Sequence, residues 1–301
     1  MTKTPLVSII MNCYNAGPFL TQAINSAYAQ TYPNWEIIFY NNQSTDNSAA
    51  IAKSYDKRLR YFLASQHVNL AVARNEALKQ AKGDLIAFLD CDDWWDKEKL
   101  SIQVPHFEND PELAILYGNS YQLDCFKNKT HMNIKSMQPS GYVFKQALKS
   151  YPVDILMTVI RKTVLEKNKL QFDPKVLYCN DYDLFIRILM NHKAKYLHQP
   201  LGTGRWHKNN CSNQFKEKLS EDTIYTLSKL KMMPELNIYT SLIDRQLNNA
   251  YLKKYFAILL KEKKINTFLI KSMKLKSPLI LIKMIRYLIS YLKWKVNKPK
   301  E

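Results

Sequence analysis

Between Leu6 and about Asp96, four short apolar runs alternate with three stretches of helical spacing, joined by only a few residues. LVSIIMN, WEIIFYNN, RLRYFLAS and DLIAFLDCDD read as strands, and the first and last carry apolar runs fit for burial. Gly17-Pro18 opens the first helix, where Phe19, Leu20, Ala23, Ile24 and Ala27 recur at helical spacing. Ser44, Thr45 and Asp46 supply cap-type residues before the second. Gly83 is expected to close the third, NLAVARNEALKQAKG. Alternation with short connections predicts an α/β fold, a mostly parallel sheet covered by helices.

Beyond about Trp94 the pattern loosens. LAILYGNSYQLD and KAKYLHQPLGTGRW read as extended segments, and KEKLSIQVPHFEND as a helix that Pro105 must kink or shorten. DILMTVIRKTVLEKN leads into a helix, and YDLFIRILMNH is one by its apolar period. These segments predict a mixed extension of the same sheet, with no linker. From about Asn209 strand signals vanish, and Lys-, Leu- and Ile-rich helical stretches take over. The expected domains are 1–215, with a nucleotide-binding half over about 1–95 and an acceptor half over about 96–215, and a basic helical region over 216–301.

Composition excludes some classes. Hydrophobic residues make up 46% of the chain, enough for a packed core, which rules out a disordered or collagen-like protein. The five cysteines are odd in number and form no C-x-x-C pair, as in a reduced, cytosolic chain. The N-terminal apolar run is too short for a secretory signal. The net charge is +18, of which +12 lies in residues 216–301. Lys276, Lys283, Arg286, Ser290 and Lys293 fall at steps of 7, 3, 4 and 3, forming one polar stripe on an otherwise apolar helix. Such a helix suits an anionic membrane surface through residues 270–301, with Trp294 at the interface. It equally suits packing on the body or a dimer, with the stripe facing water. Without a recognition-helix, zinc-finger or RNA-binding signature, nucleic acid is not expected as a partner.

Asp90-Cys91-Asp92-Asp93 follows a buried strand, where open parallel sheets bind ligands. Three carboxylates there repel one another unless a cation sits among them, and Mg²⁺ or Mn²⁺ would pair them with phosphate oxygens. A solvated acidic turn or helix cap is the plainer alternative. Arg74 reaches the same sheet edge and can serve a phosphate or pair with the acids.

The blocks PLVSIIMNCYN, AINSAYAQTYPNWEIIFYNNQSTDNS, NLAVARNEAL, GDLIAFLDCDDWWDKEKL, FDPKVLYCNDYDLFIRIL and GRWHKNNCSNQ together cover about residues 5–215. In order and spacing the sequence resembles a family 2 glycosyltransferase with the GT-A fold, of the bacterial cell-surface glycan type. The resemblance implies that Cys13, Tyr14 and Asn15 line the nucleobase pocket. Asn42 stands where the family has a base-contacting Asp, and Asp46 is structural. Arg74 and Asp90 approach the nucleotide-sugar. Asp92 ligates Mn²⁺ or Mg²⁺, with Asp93 beside it and His207 near the metal and diphosphate. Asp181 is the base that takes the acceptor proton, and Asp183, two residues along the helix, faces elsewhere. At the start of its helix, the dipole is expected to keep Asp181 ionised.

Departures are visible. Asn41-Asn42 replaces Asp-Asp, Gln43 replaces a Gly, and Asn180 replaces the Glu before the base. Asn42 can still pair with a uracil edge. The resemblance implies transfer from a nucleotide-sugar, with a uridine diphosphate donor, to a hydroxyl of a growing glycan. A lipid-linked acceptor would explain the basic tail and place the enzyme peripherally on the cytoplasmic face of the inner membrane. Two alternatives stand beside this. A sugar nucleotidyltransferase would need a Gly-rich phosphate loop, of which MNCYNAGPF is a poor version. A catalytically retired GT-A protein would act as a basic membrane-binding module. The sequence does not give the oligomeric state.

Overall fold

The sheet grows outward from β1 (Val7–Cys13), whose Val, Ile and Met side chains are almost wholly buried. The computed structural model describes residues 4–208, 210, 215–275 and 278–297, and the side chains among them except those of 278–281 and 293–297. β2 (Trp35–Asn41) and β4 (Leu85–Phe88) flank β1 in parallel, and β3 (Leu59–Leu63) pairs parallel with β2. The order β3-β2-β1-β4 reverses direction of growth at β1. The crevice beyond the carboxyl ends of β1 and β4 is therefore the topological switch point, where sheets of this kind hold ligands.

Past β4 the strands change direction. β8 (Val159–Arg161) runs antiparallel to β4, and β6 (Leu113–Asp124) antiparallel to β8. β9 (Lys193–Trp206) is parallel to β6, β5 (Trp94–Trp95) is antiparallel to β9, and β7 (Lys129–Met132) pairs with β6. The parallel order predicted from the alternation thus holds in the first half, and the second half is the mixed extension. β9 matters most for function. It begins at the far end of the sheet, and its pairing with β5 carries Arg205 and His207 back to the acidic loop.

Seven helices of this unit cover the sheet: α1 (Gly17–Tyr28), α2 (Ser48–Lys53), α3 (Leu70–Gln80), α4 (Lys99–Asn109), α5 (Phe144–Lys149), α6 (Lys162–Lys167) and α7 (Asn180–Leu189), counted among the described residues. Leu20, Ala23, Ile24 and Ala27, the apolar positions read from the α1 sequence, are all buried. Asn69 caps α3 by accepting from the Val72 amide at 3.0 Å. Pro105 lies inside α4 without shortening it. Gly83 does not close α3, which ends at Gln80 with Ala81 already extended. A Cβ on Gly83 would stand 2.6 Å from the Ser8 amide nitrogen and 2.7 Å from the Leu6 carbonyl oxygen. This glycine is there for close backbone approach to β1, not for a left-handed cap.

The chain divides into two compact units, Met1–Lys208 and Asn209–Glu301. The second contains α8 (Lys216–Lys231), α9 (Thr240–Glu262), α10 (Ile265–Met273) and α11 (Pro278–Asn297). Its own core gathers Leu252, Leu259, Phe268, Met284 and Tyr291. Phe256 stacks on Tyr287 with centroids 4.4 Å apart. Lys283, Arg286 and Ser290 of the predicted polar stripe face α9. They line, with Gln246, Asn249 and Lys253, a cavity of about 370 Å³, and Lys283 donates to Asn249 at 2.6 Å. Ile282, Ile285, Ile289 and Leu292 form an exposed apolar stripe on the same helix. Lys276 lies outside the described residues, as do the side chains of Lys293 and Trp294. No helix among the described residues is long and apolar enough to cross a membrane.

Candidate active site

The carboxyl ends of β1 and β2 build one wall of the crevice. Cys13 is buried, with its sulfur 3.8 Å from the Ser44 hydroxyl. A hydrogen bond with Cys91, together with those of Ser48 and Ser44, lowers the Cys13 thiol to about 7 despite its burial. Asn15 adopts a left-handed backbone (φ 53°), and its side chain accepts from the Thr45 amide at 2.8 Å. Asp46 accepts from the Gly17 amide at 2.9 Å and the Ser48 amide at 3.0 Å, so it ties the segment after β2 to the start of α1. Gln43 is also left-handed (φ 66°), which explains why a glycine suits this position and why a glutamine costs backbone strain there.

Tyr14 is half exposed, and its ring packs on His67 with centroids 4.3 Å apart. His67 Nδ1 lies 2.9 Å from the Asn42 carbonyl oxygen. The Asn42 amide donates to the Val68 carbonyl at 2.7 Å and accepts from the Val68 amide at 3.0 Å. Both polar ends of Asn42 therefore clamp the chain before α3. Beyond these two bonds the amide keeps a second N–H and a second lone pair. The exposed Tyr14 face is the apolar platform this wall offers.

The acids form the opposite wall. Arg74 is buried and bridges two elements, donating to Asp90 at 3.0 Å and to the Asn180 side chain at 2.6 Å. The replacement of a family Glu by Asn at 180 thus leaves a neutral acceptor for a guanidinium already paired with Asp90. Asp92 Oδ2 lies 3.0 Å from His207 Nε2, so the two residues assigned to a metal stand side by side across 115 residues of sequence. Burial, and then the charge of Asp90, push the Asp92 carboxyl up, against the pull of His207. Asp93 accepts from the Arg205 amide at 2.8 Å, and burial with the charges of Asp92 and Asp90 drives it well above the usual carboxylate range.

Sequence reading missed Arg205, although it lies inside the GRWH block. Its guanidinium donates to the Asp92 carbonyl and the Gln22 side chain. It stacks over Trp94 at 4.3 Å and Phe19 at 4.7 Å. Arg205 so fixes the acidic loop through the Asp92 carbonyl and its own amide, and does not use the carboxylates of Asp90 and Asp92. Trp95, the other member of the tryptophan pair, is core.

Among the described residues, no group of three or more His, Cys, Asp or Glu side chains is arranged to hold a metal on its own. Asp92 and His207 nonetheless fit an ion that keeps one or two protein ligands and fills the rest of its shell with diphosphate oxygens. The crowding that raises Asp92 is the same electrostatic demand for a cation.

Asp181 lies in the first turn of α7, beside Asn180, and reaches the acids at one remove through Arg74. The helix end alone was expected to keep it ionised. Burial outweighs that effect and raises its carboxyl, with the Arg74 charge acting in opposition. A raised carboxylate is a better proton acceptor near neutral pH. Asp183 is fully buried and bound to Arg187 at 2.6 and 3.0 Å, which removes it as a base.

Comparison with known proteins accords with this fold. The profile described as Glycosyl transferase family 2 matches residues 8–168. The Escherichia coli UDP-Glc:alpha-D-GlcNAc-diphosphoundecaprenol beta-1,3-glucosyltransferase WfgD is 31% identical over 216 residues, 70% of this chain and 82% of that protein. Among solved structures, S. aureus TarS 1-349 in complex with UDP-GlcNAc is similar with a TM-score of 0.65 at 17% identity, over 87% of this chain and 79% of that one. The mannosyltransferase PcManGT from Pyrobaculum calidifontis, in complex with GDP-Man and Mn²⁺, reaches 0.62 at 16% identity, over 99% and 89%. These structures share the GT-A fold. The chain belongs to glycosyl transferase family 2, and it is a glycosyltransferase.

Proposed function

We propose that this enzyme is a metal-dependent, inverting transferase that moves a sugar from a UDP-sugar to a hydroxyl of a lipid-linked glycan during cell-surface polysaccharide assembly. The observation that carries the reading is the convergence of the Asp92–His207 pair, the Arg74–Asp90 bridge and Asp181 at the switch point of the sheet. Tyr14 would support the base, with Cys13, Asn15 and Asn42 shaping its pocket. Asp92 and His207 would hold Mn²⁺ or Mg²⁺ against the diphosphate, with Asp90 and Asp93 framing the site. A divalent ion there supplies positive charge to a leaving group that departs as a nucleoside diphosphate.

The proton economy falls to the protein. Asp181 accepts the proton of the acceptor hydroxyl as its oxygen attacks the anomeric carbon. The bond from that carbon to the diphosphate breaks, and the electron pair leaves on the diphosphate oxygen. Attack opposite the leaving group inverts the anomeric centre. Arg74 holds Asn180 and Asp90 in fixed relation, so base and donor site keep their separation during the displacement.

The relatives support the chemistry by analogy: WfgD is named for a UDP-Glc donor and a diphosphoundecaprenol acceptor, and TarS was solved with UDP-GlcNAc. Calorimetry with UDP, GDP, ADP and dTDP, with Mn²⁺ and then with chelator, tests the reading. UDP is expected to bind with Mn²⁺ and to lose most of its affinity on chelation. No binding of any nucleotide would favour the retired-enzyme alternative.

The second unit supports peripheral attachment to the inner membrane. The basic groove formed by Lys253, Lys283 and Arg286 and the exposed Ile282–Leu292 stripe suit anionic headgroups and acyl chains respectively. Protein lacking residues 270–301 is expected to stay in the supernatant when the full chain pellets with phosphatidylglycerol liposomes. Equal pelleting of both would reject the attachment.

A further inference from the structure

Between α9 and α11 the second unit gathers positive charge without a counter-ion. Lys253, Lys283 and Arg286, with Ser290, line the exposed cavity of about 370 Å³. Neither α11 nor α9 from Arg245 to Lys261 contains an Asp or Glu. The two acids that α9 does carry are engaged away from the groove, Asp244 with Lys231 at 2.7 Å and Glu262 with Lys264 at 3.7 Å. Lys253 and Arg286 form no ion pair or hydrogen bond among the described residues.

One wall of the groove is held in place. Asn249 donates to the Gln246 side chain at 3.0 Å and accepts from Lys283 at 2.6 Å. A neutral partner thus orients the Lys283 ammonium without cancelling its charge. A cleft lined by charge of one sign concentrates counter-ions. Arg286 offers a planar fork, and Lys253 and Lys283 compact ammonium groups, a set that suits phosphate oxygens.

The remainder of α11 points to the molecule that carries the phosphate. Met284 and Tyr291 bury one face of the helix in the core of the unit. Ile282, Ile285 and Ile289 each precede a groove residue, Lys283, Arg286 and Ser290, by one position. At about 100° per residue, the apolar stripe therefore runs alongside the groove. Ile282, Ile285, Ile289 and Leu292 are each about half exposed, an apolar row of the kind that marks an interaction surface. Free phosphate or a nucleic-acid backbone would leave that row in water. A phospholipid covers both features, with its phosphate in the groove and its acyl region against the isoleucines.

We propose that this groove is a discrete seat for the phosphate of one anionic phospholipid headgroup, formed by Lys253, Lys283 and Arg286. The proposal rests on the peripheral attachment above and adds to it a located site. Selection of the membrane then belongs to three side chains, not to the +12 charge spread over residues 216–301.

The test compares two full-length double variants of equal net charge. Lys253→Gln with Arg286→Gln takes two cations out of the groove. Lys261→Gln with Lys274→Gln takes two cations from the same unit that do not line it. All four side chains are exposed, so both variants should melt with the wild type. Affinity is read by sedimentation with vesicles of phosphatidylcholine and phosphatidylglycerol at about 0.1 M salt. At about fivefold per cation, the groove variant should bind about thirtyfold more weakly than the wild type, and the control within about threefold of it. A groove variant within about threefold of the wild type, or a control that falls as far as the groove variant, would overturn the seat and leave peripheral attachment standing. Inorganic phosphate is titrated separately. Groove-dependent phosphate binding by a wild type that ignores the vesicles would give the site to a soluble anion and overturn the lipid. A wild type that binds neither would remove the attachment itself, and the seat with it.

Discussion

An Asp181→Asn enzyme is expected to lose sugar transfer by about a thousandfold while binding UDP and Mn²⁺ as the parent does. The magnitude is that of a removed general base. Asparagine keeps the size of the side chain and its place in the first turn of α7, so the Arg74 bridge to Asn180 and Asp90 has no reason to move. Asp183 cannot take over, because it is locked to Arg187. The pH profile gives an independent reading. Burial raises Asp181, and a base in the proposed role acts in its ionised form. The rate should therefore fall on the acid side at a pH above the ordinary carboxylate range, as Asp181 takes up its proton. Measuring kcat against pH for the parent, and residual turnover in the variant, checks both. An acid limb within the ordinary carboxylate range, or a variant within tenfold of the parent, would remove Asp181 from the mechanism.

Asp92→Ala is expected to have the second large effect, on binding rather than on proton transfer. It removes the carboxylate that pairs with His207 at 3.0 Å. Mn²⁺-dependent affinity for UDP should drop by about a hundredfold, with a parallel fall in transfer. The fold should survive, for a specific reason. Arg205 holds this loop through the carbonyl of Asp92 and a backbone bond to Asp93, neither of which the substitution touches. The melting temperature is expected to stay level or rise, because a desolvated carboxylate crowded by Asp90 is gone. Calorimetry with and without chelator, beside a thermal melt, separates lost ligation from unfolding. Undiminished metal-dependent binding would place the ion elsewhere.

Much of this architecture was legible in the sequence because its causes are local. The period of LVSIIMN and DLIAFL, and the spacing of Leu20, Ala23, Ile24 and Ala27, dictate burial residue by residue. LAILYGNSYQLD and KAKYLHQPLGTGRW coincide with β6 and β9. β8 and β5 were not legible: three residues and two residues are too short to show a period, and their pairing is decided by what β4 and β9 leave open. The site divides along the same line. Asp90, Asp92, Asp181 and His207 stand in motif blocks. Arg205 draws its importance from neighbours far away in sequence, which leave no local signature. Asn42 could be named from its position, but only the structure reveals that each of its polar atoms is bonded to the Val68 backbone.

The long path of β9 has a consequence for how this enzyme is made. The acids lie at residues 90–93, whereas Arg205 and His207 join them from more than 110 residues later, and Arg74 meets Asn180 across 106. During synthesis the first four strands leave the ribosome with a cluster of carboxylates and no late-strand partner to steady them. Closing loops of this length is the slow part of folding for such topologies. On the proposed assignment, a nascent chain short of β9 would have a platform for a nucleobase but no finished seat for the diphosphate. The growing enzyme would then stay inert toward its donor until nearly the whole catalytic unit has been translated.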